Sequence, residues 1–271
     1  MHAYLNMILL AVLQGVTEFL PVSSSAHLVI AAKILNFKSP GIQMEMVLHA
    51  GTLLAICLYY RQRLLALATG LVRRERTAWI EAGYLLLATV PVVVVYFFAH
   101  DWLDSVYDNH RFAGAMLLVT GVVLLSLNLR EWIGSRARRV ERAQEAQPMV
   151  AWRAVAIGVA QAFAILPGIS RSGATIVTAR HCGLSPKRAA EFSFFMSIPP
   201  LLGGTLISLC SRDSTTGMDL GWGLMALGLA VAAVVGYVSI SILMRVLNRG
   251  RFWLFGVYCL IVGGAILLIG L

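Results

Sequence analysis

Residues 14–27 read Q-G-V-T-E-F-L-P-V-S-S-S-A-H. Inside an apolar neighbourhood they hold an amide (Gln14), a carboxylate (Glu18), three consecutive hydroxyls (Ser23, Ser24, Ser25) and an imidazole (His27). The run before them predicts a helix over 3–20, and the Leu20-Pro21 step ends it, because proline lacks the N–H and crowds the preceding turn. The apolar stretch that follows, 26–35, is too short to cross a hydrocarbon core of about 30 Å, which takes about 20 helical residues. A re-entrant helical hairpin around 3–36 is expected, with the serines near its tip. Non-helical backbone at that depth is tolerated where it is buried or lines a wet cavity.

The composition of the whole chain agrees with a membrane setting. Of 271 residues, 59% are hydrophobic and 13% charged, and the mean hydropathy is +0.79. Soluble domains carry about a quarter charged residues, so this is the balance of a multi-span membrane protein. The net charge of +9 comes mostly from arginines between apolar runs, with no aromatic-interleaved basic face, which argues against nucleic acid as a partner. Cys57, Cys182, Cys210 and Cys259 are scattered without a CxxC pair and read as small, mostly buried side chains. The first apolar segment lacks a basic n-region and contains Gln14 and Glu18, so it is expected to belong to the mature protein.

A second stretch, L-P-G-I-S-R-S-G-A-T at 166–175, echoes the first. Pro21 and Pro167 are 146 apart (167 − 21), as are Ser24 and Ser170 (170 − 24) and Glu45 and Glu191 (191 − 45). That common register argues for an internal repeat. Ordinary spans are expected at 44–60, 79–98 and 112–129, and again near 190–210, 221–244 and 252–271. The second hairpin falls around 150–183, with its helix at 150–166. Three spans and two half-helices lie between the prolines, an odd number, so the two halves should have opposite orientation. The expected fold is one all-α polytopic membrane domain, 1–271, built as an inverted-topology repeat of 1–130 and 150–271. It has six full transmembrane helices, two re-entrant helical hairpins and about ten helices in all. Arginines crowd 61–76, the linker 131–149 and 245–251, which the positive-inside rule places in the cytoplasm.

The two stretches complement each other chemically. Gln14 and Glu18 are one turn apart on one face, and an ionisable residue at membrane depth is functional by default. Ser23, Ser24 and Ser25 open a short helix whose free N–H groups and dipole favour an anion. Plain N-capping accounts for serines there as well. His27, on the face of Ser24, adds the imidazole that makes a nucleophile, an acid/base and an orienting group conceivable together. Arg171 supplies a permanent cation with a planar fork for phosphate oxygens, and Gly168 and Gly173 beside it permit close backbone approach. Glu45 and His49, one turn apart, take second rank; Glu45 and Glu191, equivalent by the repeat, are expected to share a structural task. The two tips, with Ser24 and Ser170, are expected to meet in one phosphate-handling site.

These residues resemble the undecaprenyl-diphosphate phosphatase, or bacitracin-resistance protein, family. Its first signature places Glu or Gln four residues before a Glu, then P-V-S-S-x-[GA]-H; here these are Gln14, Glu18 and the segment from Pro21 to His27. Its second, P-G-x-S-R-S-G-A-T, stands intact from Pro167 to Thr175. The resemblance implies a hydrolase in the bacterial cell membrane that removes the terminal phosphate of undecaprenyl diphosphate. The product carrier returns to cell-wall synthesis, and the activity confers bacitracin resistance. It also implies an outward-facing active site and a divalent cation, Mg2+ or Ca2+, at Glu18 and Gln14. Ser24 is then the nucleophile, His27 and Glu18 its acid/base partners and Arg171 the diphosphate clamp. Ser23, Ser25, Ser170, Ser172, Gly173 and Thr175 would contact phosphate. Gln14 is a weaker magnesium ligand than a carboxylate. The pattern S-R-x5-H of another class of lipid phosphatases is absent, since Val177 stands where its histidine would be. A polyprenyl-phosphate transporter or flippase is the alternative that an inverted repeat by itself allows, and a homodimer is left open.

Overall fold

The computed structural model describes residues 2–34, 42–107, 109–133, 148–210 and 221–269. Among these the chain is all-helical, in eleven helices. They are α1 His2–Thr17, α2 Ser24–Ile34, α3 Ile42–Tyr59, α4 Arg61–Val72, α5 Arg76–Tyr107 and α6 His110–Ile133. After the linker come α7 Ala151–Phe163, α8 Arg171–His181, α9 Pro186–Cys210, α10 Trp222–Asn248 and α11 Trp253–Ile269. Most of the linker expected at 131–149, and the connection at 212–220, lie outside the described residues.

Both breaks fall where proline chemistry puts them. A helical Pro21 would leave the carbonyl of Thr17 without a donor (21 − 4 = 17), and Pro167 would do the same to Phe163 (167 − 4 = 163); α1 ends at Thr17 and α7 at Phe163. The expected helices ran to 20 and 166, each three residues too far, because the lost hydrogen bond acts a full turn ahead of the proline. The turns are then closed by left-handed residues, Ser23 at φ 67° in the first and Gly168 at φ 99° in the second. A side chain at Gly168 would also strike the Ala113 carbonyl, so glycine is required there twice over.

One segment differs in kind from its expectation. The arginine-rich 61–76 is not simply a connection: α4 occupies Arg61–Val72 and packs on α5. Leu64 and Leu67 pack against the buried core while Arg61 and Leu65 stay exposed, and Arg73, Arg74 and Arg76 follow the helix, also exposed. Within α9 the helix continues through Pro199 and Pro200.

Among the described residues three helices are long and apolar enough to cross a membrane, over Arg76–Ala99, His110–Leu127 and Trp222–Asn248, and Tyr4–Thr17, Met44–Tyr59 and Trp253–Ile269 are shorter apolar helices. The protein is thus a multi-pass membrane protein. Its interior gathers around the broken segments: Phe19, Val22, Ile176 and Val177 join Leu117, Ile157 and Phe194 in one buried cluster, with Phe19 edge-on to Phe194 at 5.6 Å. Helices approach through small residues, as expected where lipid tails compete with apolar side chains. Gly15 of α1 and Gly51 of α3 lie against α10, and Gly158 of α7 lies on the backbone of Ala88 in α5. A Cβ at Gly158 would come within 2.9 Å of Ala88 Cα and 3.0 Å of its carbonyl carbon, neither of which can swing away. Gly158→Val is therefore expected to lower stability by about 1–3 kcal/mol, read as a lower thermal midpoint of the purified protein in detergent.

Candidate active site

The two turns cross, and Glu18 stands at the crossing. The turn after α1 carries it into the interior, where it is 7% exposed. Its Oε1 accepts from Arg171 Nη2 at 2.5 Å, from the first residue of α8. Its Oε2 accepts from Gln14 Nε2 at 3.0 Å and from Ser24 Oγ at 2.9 Å. Both carboxylate oxygens are thus filled, by groups 4, 6 and 153 residues away along the chain. The backbones meet as well. Gly168 N–H donates to Ser25 Oγ at 3.4 Å, and the α-carbon of Gly173 faces Pro21.

The imidazole beside the carboxylate is that of His49, on α3. Gln14 Nε2 also donates to His49 Nδ1 at 3.1 Å, and the same nitrogen lies 3.9 Å from Glu18 Oε2. His27 points elsewhere. Its Nδ1 donates to the Ser23 carbonyl at 2.8 Å, which leaves Nε2 to accept from Tyr258 Oη at 2.8 Å, with the two rings stacked. None of these hydrogen bonds reaches Ser24 or Glu18. The geometry therefore brings Gln14, Glu18, Ser24, His49 and Arg171 together and sets His27 against the Ser23 turn.

The remaining serines are largely occupied with holding the turns. Ser170 caps α8, its Oγ accepting from Gly173 N–H at 3.1 Å and lying 3.2 Å from Ser172 Oγ. Thr175 is fully buried, donating to the Arg171 carbonyl at 2.7 Å and lying 2.6 Å from Ser193 Oγ. Ser23 Oγ is 3.1 Å from Ser25 Oγ. Partly open positions are Ser24, Ser25, His27, His49 and Arg171, the last with 20% of its side chain exposed. Glu45 is half-buried one turn before His49, and Glu191 belongs to a different set of ion pairs. Glu191 accepts from Arg63 Nε at 2.9 Å and from Arg188 Nη1 at 3.1 Å, in a cluster that Glu81 completes.

Two contributors were not singled out from the sequence. Thr120, on α6, donates to the Gly168 carbonyl at 2.9 Å and accepts from Ser170 N–H at 3.0 Å, pinning the second turn. Tyr258, on α11, holds His27. Each is a lone polar residue in an apolar span, and a buried hydroxyl such as Thr120 was the available signal.

A hard divalent cation would find oxygen donors here. Gln14 Oε1 is buried and has no hydrogen-bond partner, one turn from the Glu18 carboxylate. Among the described residues there is no group of three His, Cys, Asp or Glu side chains that could hold a metal. The donor set fits a cation whose shell is completed by phosphate oxygens and water, as magnesium sites commonly are.

Fold and site together define an integral membrane protein with a buried carboxylate–guanidinium centre where two broken helices cross. The chain belongs to the family described as Bacitracin resistance protein BacA, whose pattern it matches over residues 7–265. Similar curated proteins include the undecaprenyl-diphosphatase of Syntrophotalea carbinolica, 39% identical over 266 residues and 97% of each chain. That of Alcanivorax borkumensis is 37% identical over 265 residues, covering 96% of each. That of Sphingopyxis alaskensis is 33% identical over 269 residues, covering 99% of this chain and 98% of its own.

Removing one partner of a buried ion pair leaves an uncompensated charge. Glu18→Ala is expected to destabilise the protein by about 3 kcal/mol, somewhat moderated by the partial exposure of Arg171. The double variant Glu18→Gln with Arg171→Gln should recover part of that loss. Thermal unfolding of wild type, Glu18→Gln, Arg171→Gln and the double variant in one detergent measures the coupling directly.

Proposed function

We propose that the protein is an undecaprenyl-diphosphate phosphatase, releasing phosphate and undecaprenyl phosphate and so recycling the lipid carrier for cell-wall synthesis. The observation that carries this reading is the Glu18 carboxylate shared between Ser24 and Arg171. In the resting site Glu18 neutralises Arg171. An incoming diphosphate is a stronger claimant for a guanidinium, because it offers several charged oxygens in bidentate geometry. Arg171 then moves its hydrogen bonds to phosphate, and Glu18 loses its cation and becomes a better base toward the Ser24 hydroxyl 2.9 Å away.

Ser24 Oγ attacks the terminal phosphorus as its proton passes to Glu18, and the bond to the bridging oxygen breaks. Undecaprenyl phosphate leaves with the electron pair and takes the proton from Glu18, which is again a carboxylate. Water, deprotonated by the same carboxylate, next cleaves the phosphoserine, releasing phosphate and restoring Ser24. Arg171 and the free N–H groups opening α2 stabilise the charge that develops on the transferring group. Ser25 and Ser23 shape that opening. Ser170, Ser172, Gly173 and Thr175 act mainly by fixing the turn from which Arg171 projects. His27, tied to Ser23 and Tyr258, positions the first turn, and His49 orients Gln14 and Glu18. A divalent cation, Mg2+ or Ca2+, would be held by Glu18 and Gln14 Oε1 together with the substrate, and would supply further neutralisation of phosphate charge.

We read the architecture as an inverted repeat of 1–130 and 150–271, with six spans and two re-entrant hairpins. Helix bounds support this. Moved by 146 residues, α2 becomes 170–180, against Arg171–His181 for α8; α3 becomes 188–205, inside Pro186–Cys210; and α5 becomes 222–253, which contains Trp222–Asn248. Packing follows the same exchange, α1 lying on α10 as α7 lies on α5. Exposed Arg61, Arg73, Arg74, Arg76, Arg245, Arg249 and Arg251 support a cytoplasmic placement of these segments by the positive-inside rule, and we read the protein as lying in the bacterial inner membrane with its site open outward. The transporter reading has no separate observation in its favour.

Purified protein should release phosphate from undecaprenyl diphosphate, and Ser24→Ala or Arg171→Ala should each lower kcat by about 10²–10³. Wild-type rates in both variants would refute the assignment. A chelator should abolish release and added Mg2+ or Ca2+ restore it. Gln14→Glu should lower the concentration of cation needed for half-maximal rate, since a carboxylate is the better ligand.

A further inference from the structure

Helices α5 and α7 touch closely at one level and are separated by open space further on. Gly158 rests on the Ala88 backbone. Beyond that contact a crevice of about 420 Å³ opens between the helices, lined from Pro91 to Leu103 on α5 and from Val159 to Leu166 on α7 and the turn after it. Its origin is the short length of α7. That helix stops at Phe163 because of Pro167, while α5 continues to Tyr107, so among the described residues α5 runs on past the end of α7. The lining is apolar throughout, and the mouth is flanked by Trp102 and Phe163, 52% and 61% exposed toward the bilayer.

The floor of this crevice is Ile165 and Leu166, the residues immediately before Pro167 and Gly168. Gly168 bonds to Ser25, and Arg171 follows three residues later, so the apolar strip begins where the phosphate-handling turn ends. A ligand with a charged head at Arg171 and a long apolar tail must lead that tail out of the protein between helices. From these observations we infer that the α5–α7 crevice takes the first isoprene units of the substrate's polyprenyl tail. This inference rests on the activity proposed above. The crevice favours diphosphates that carry a prenyl tail, without touching the reacting atoms.

The test compares two substrates and two variants. Ala99→Phe fills the crevice and Trp102→Ala widens it, and neither touches the phosphate site. Phosphate release is measured from undecaprenyl diphosphate and from methyl diphosphate, which has no isoprene unit and so reports whether the phosphate site is intact. Ala99→Phe should change the ratio of kcat/KM for long over short substrate by about ten-fold, mostly through KM, and Trp102→Ala should shift the ratio too. Ratios equal to wild type in both variants, or equal loss on both substrates in both, would overturn the inference.

A second measurement is independent of turnover. Polyprenyl phosphate carrying a diazirine on the isoprene unit next to the phosphate is photolysed with the wild-type protein, and adducts are mapped by mass spectrometry. Adducts concentrated in 91–103 and 159–166, and absent with an acyl phosphate bearing the same group, are expected. Adducts spread over other lipid-facing helices, or equal labelling by the acyl compound, mean that ordinary lipid fills the crevice and the inference fails. A wild-type protein silent on both diphosphates would sink the proposed activity while the adduct map still decides the crevice.

Discussion

Glu18 receives hydrogen bonds on both carboxylate oxygens, from Arg171 on one and from Gln14 and Ser24 on the other, in an interior with little other charge near it. Neither ion is tolerable alone at membrane depth, where an unpaired charge costs several kcal/mol. The pair therefore ties together two turns that lie 153 residues apart in sequence. Such a pair is seldom more stabilising than well-packed apolar side chains of the same size. Its presence is better explained by what can replace Glu18 at the guanidinium, and a diphosphate is suited to do so.

The backbone around the pair is arranged for that exchange. Each proline ends its helix four residues early, which frees a turn to enter the core and lets a short helix begin with its N–H groups at the crossing. Thr120 holds the second turn by both its donor and its acceptor, and His27 with Tyr258 holds the first. Thr120 and Tyr258 thus anchor the turns from α6 and α11, while Ser24 and Arg171 sit at the starts of the short helices α2 and α8. A rigid frame with locally strained turns, Ser23 at φ 67° among them, keeps donors fixed before substrate arrives.

Much of this was legible in the sequence, for reasons particular to a few residues. Pro21 and Pro167 announce the breaks, and the shared register of Ser24 with Ser170 announces the repeat. Glu18 and Arg171 stand out because charge is scarce in such a chain. What the sequence left ambiguous was which histidine joins the carboxylate. His27 lies close to Ser24 along the chain, yet its ring turns back to the Ser23 carbonyl; His49 is 31 residues from Glu18 (49 − 18) and reaches it through the packing of α3. Local spacing fixes faces on one helix but says nothing about which neighbouring helix fills the gap. The serines of the second segment were ambiguous in the sequence, since a hydroxyl suits both phosphate and a helix cap; in the structure Ser170 caps α8. The helix at Arg61–Val72 was hidden because its arginines stood out from the sequence while the packing of Leu64 and Leu67 on the core did not.

The central claim is that Arg171 gives up Glu18 for phosphate. A structure of the protein bound to a methylene-bridged undecaprenyl diphosphate, which cannot be cleaved at the bridge, tests it directly. The account predicts the guanidinium of Arg171 on the diphosphate oxygens, its hydrogen bond to Glu18 broken, and Ser24 Oγ turned toward the terminal phosphorus. A diphosphate bound elsewhere, with the Glu18–Arg171 pair still closed, would contradict it.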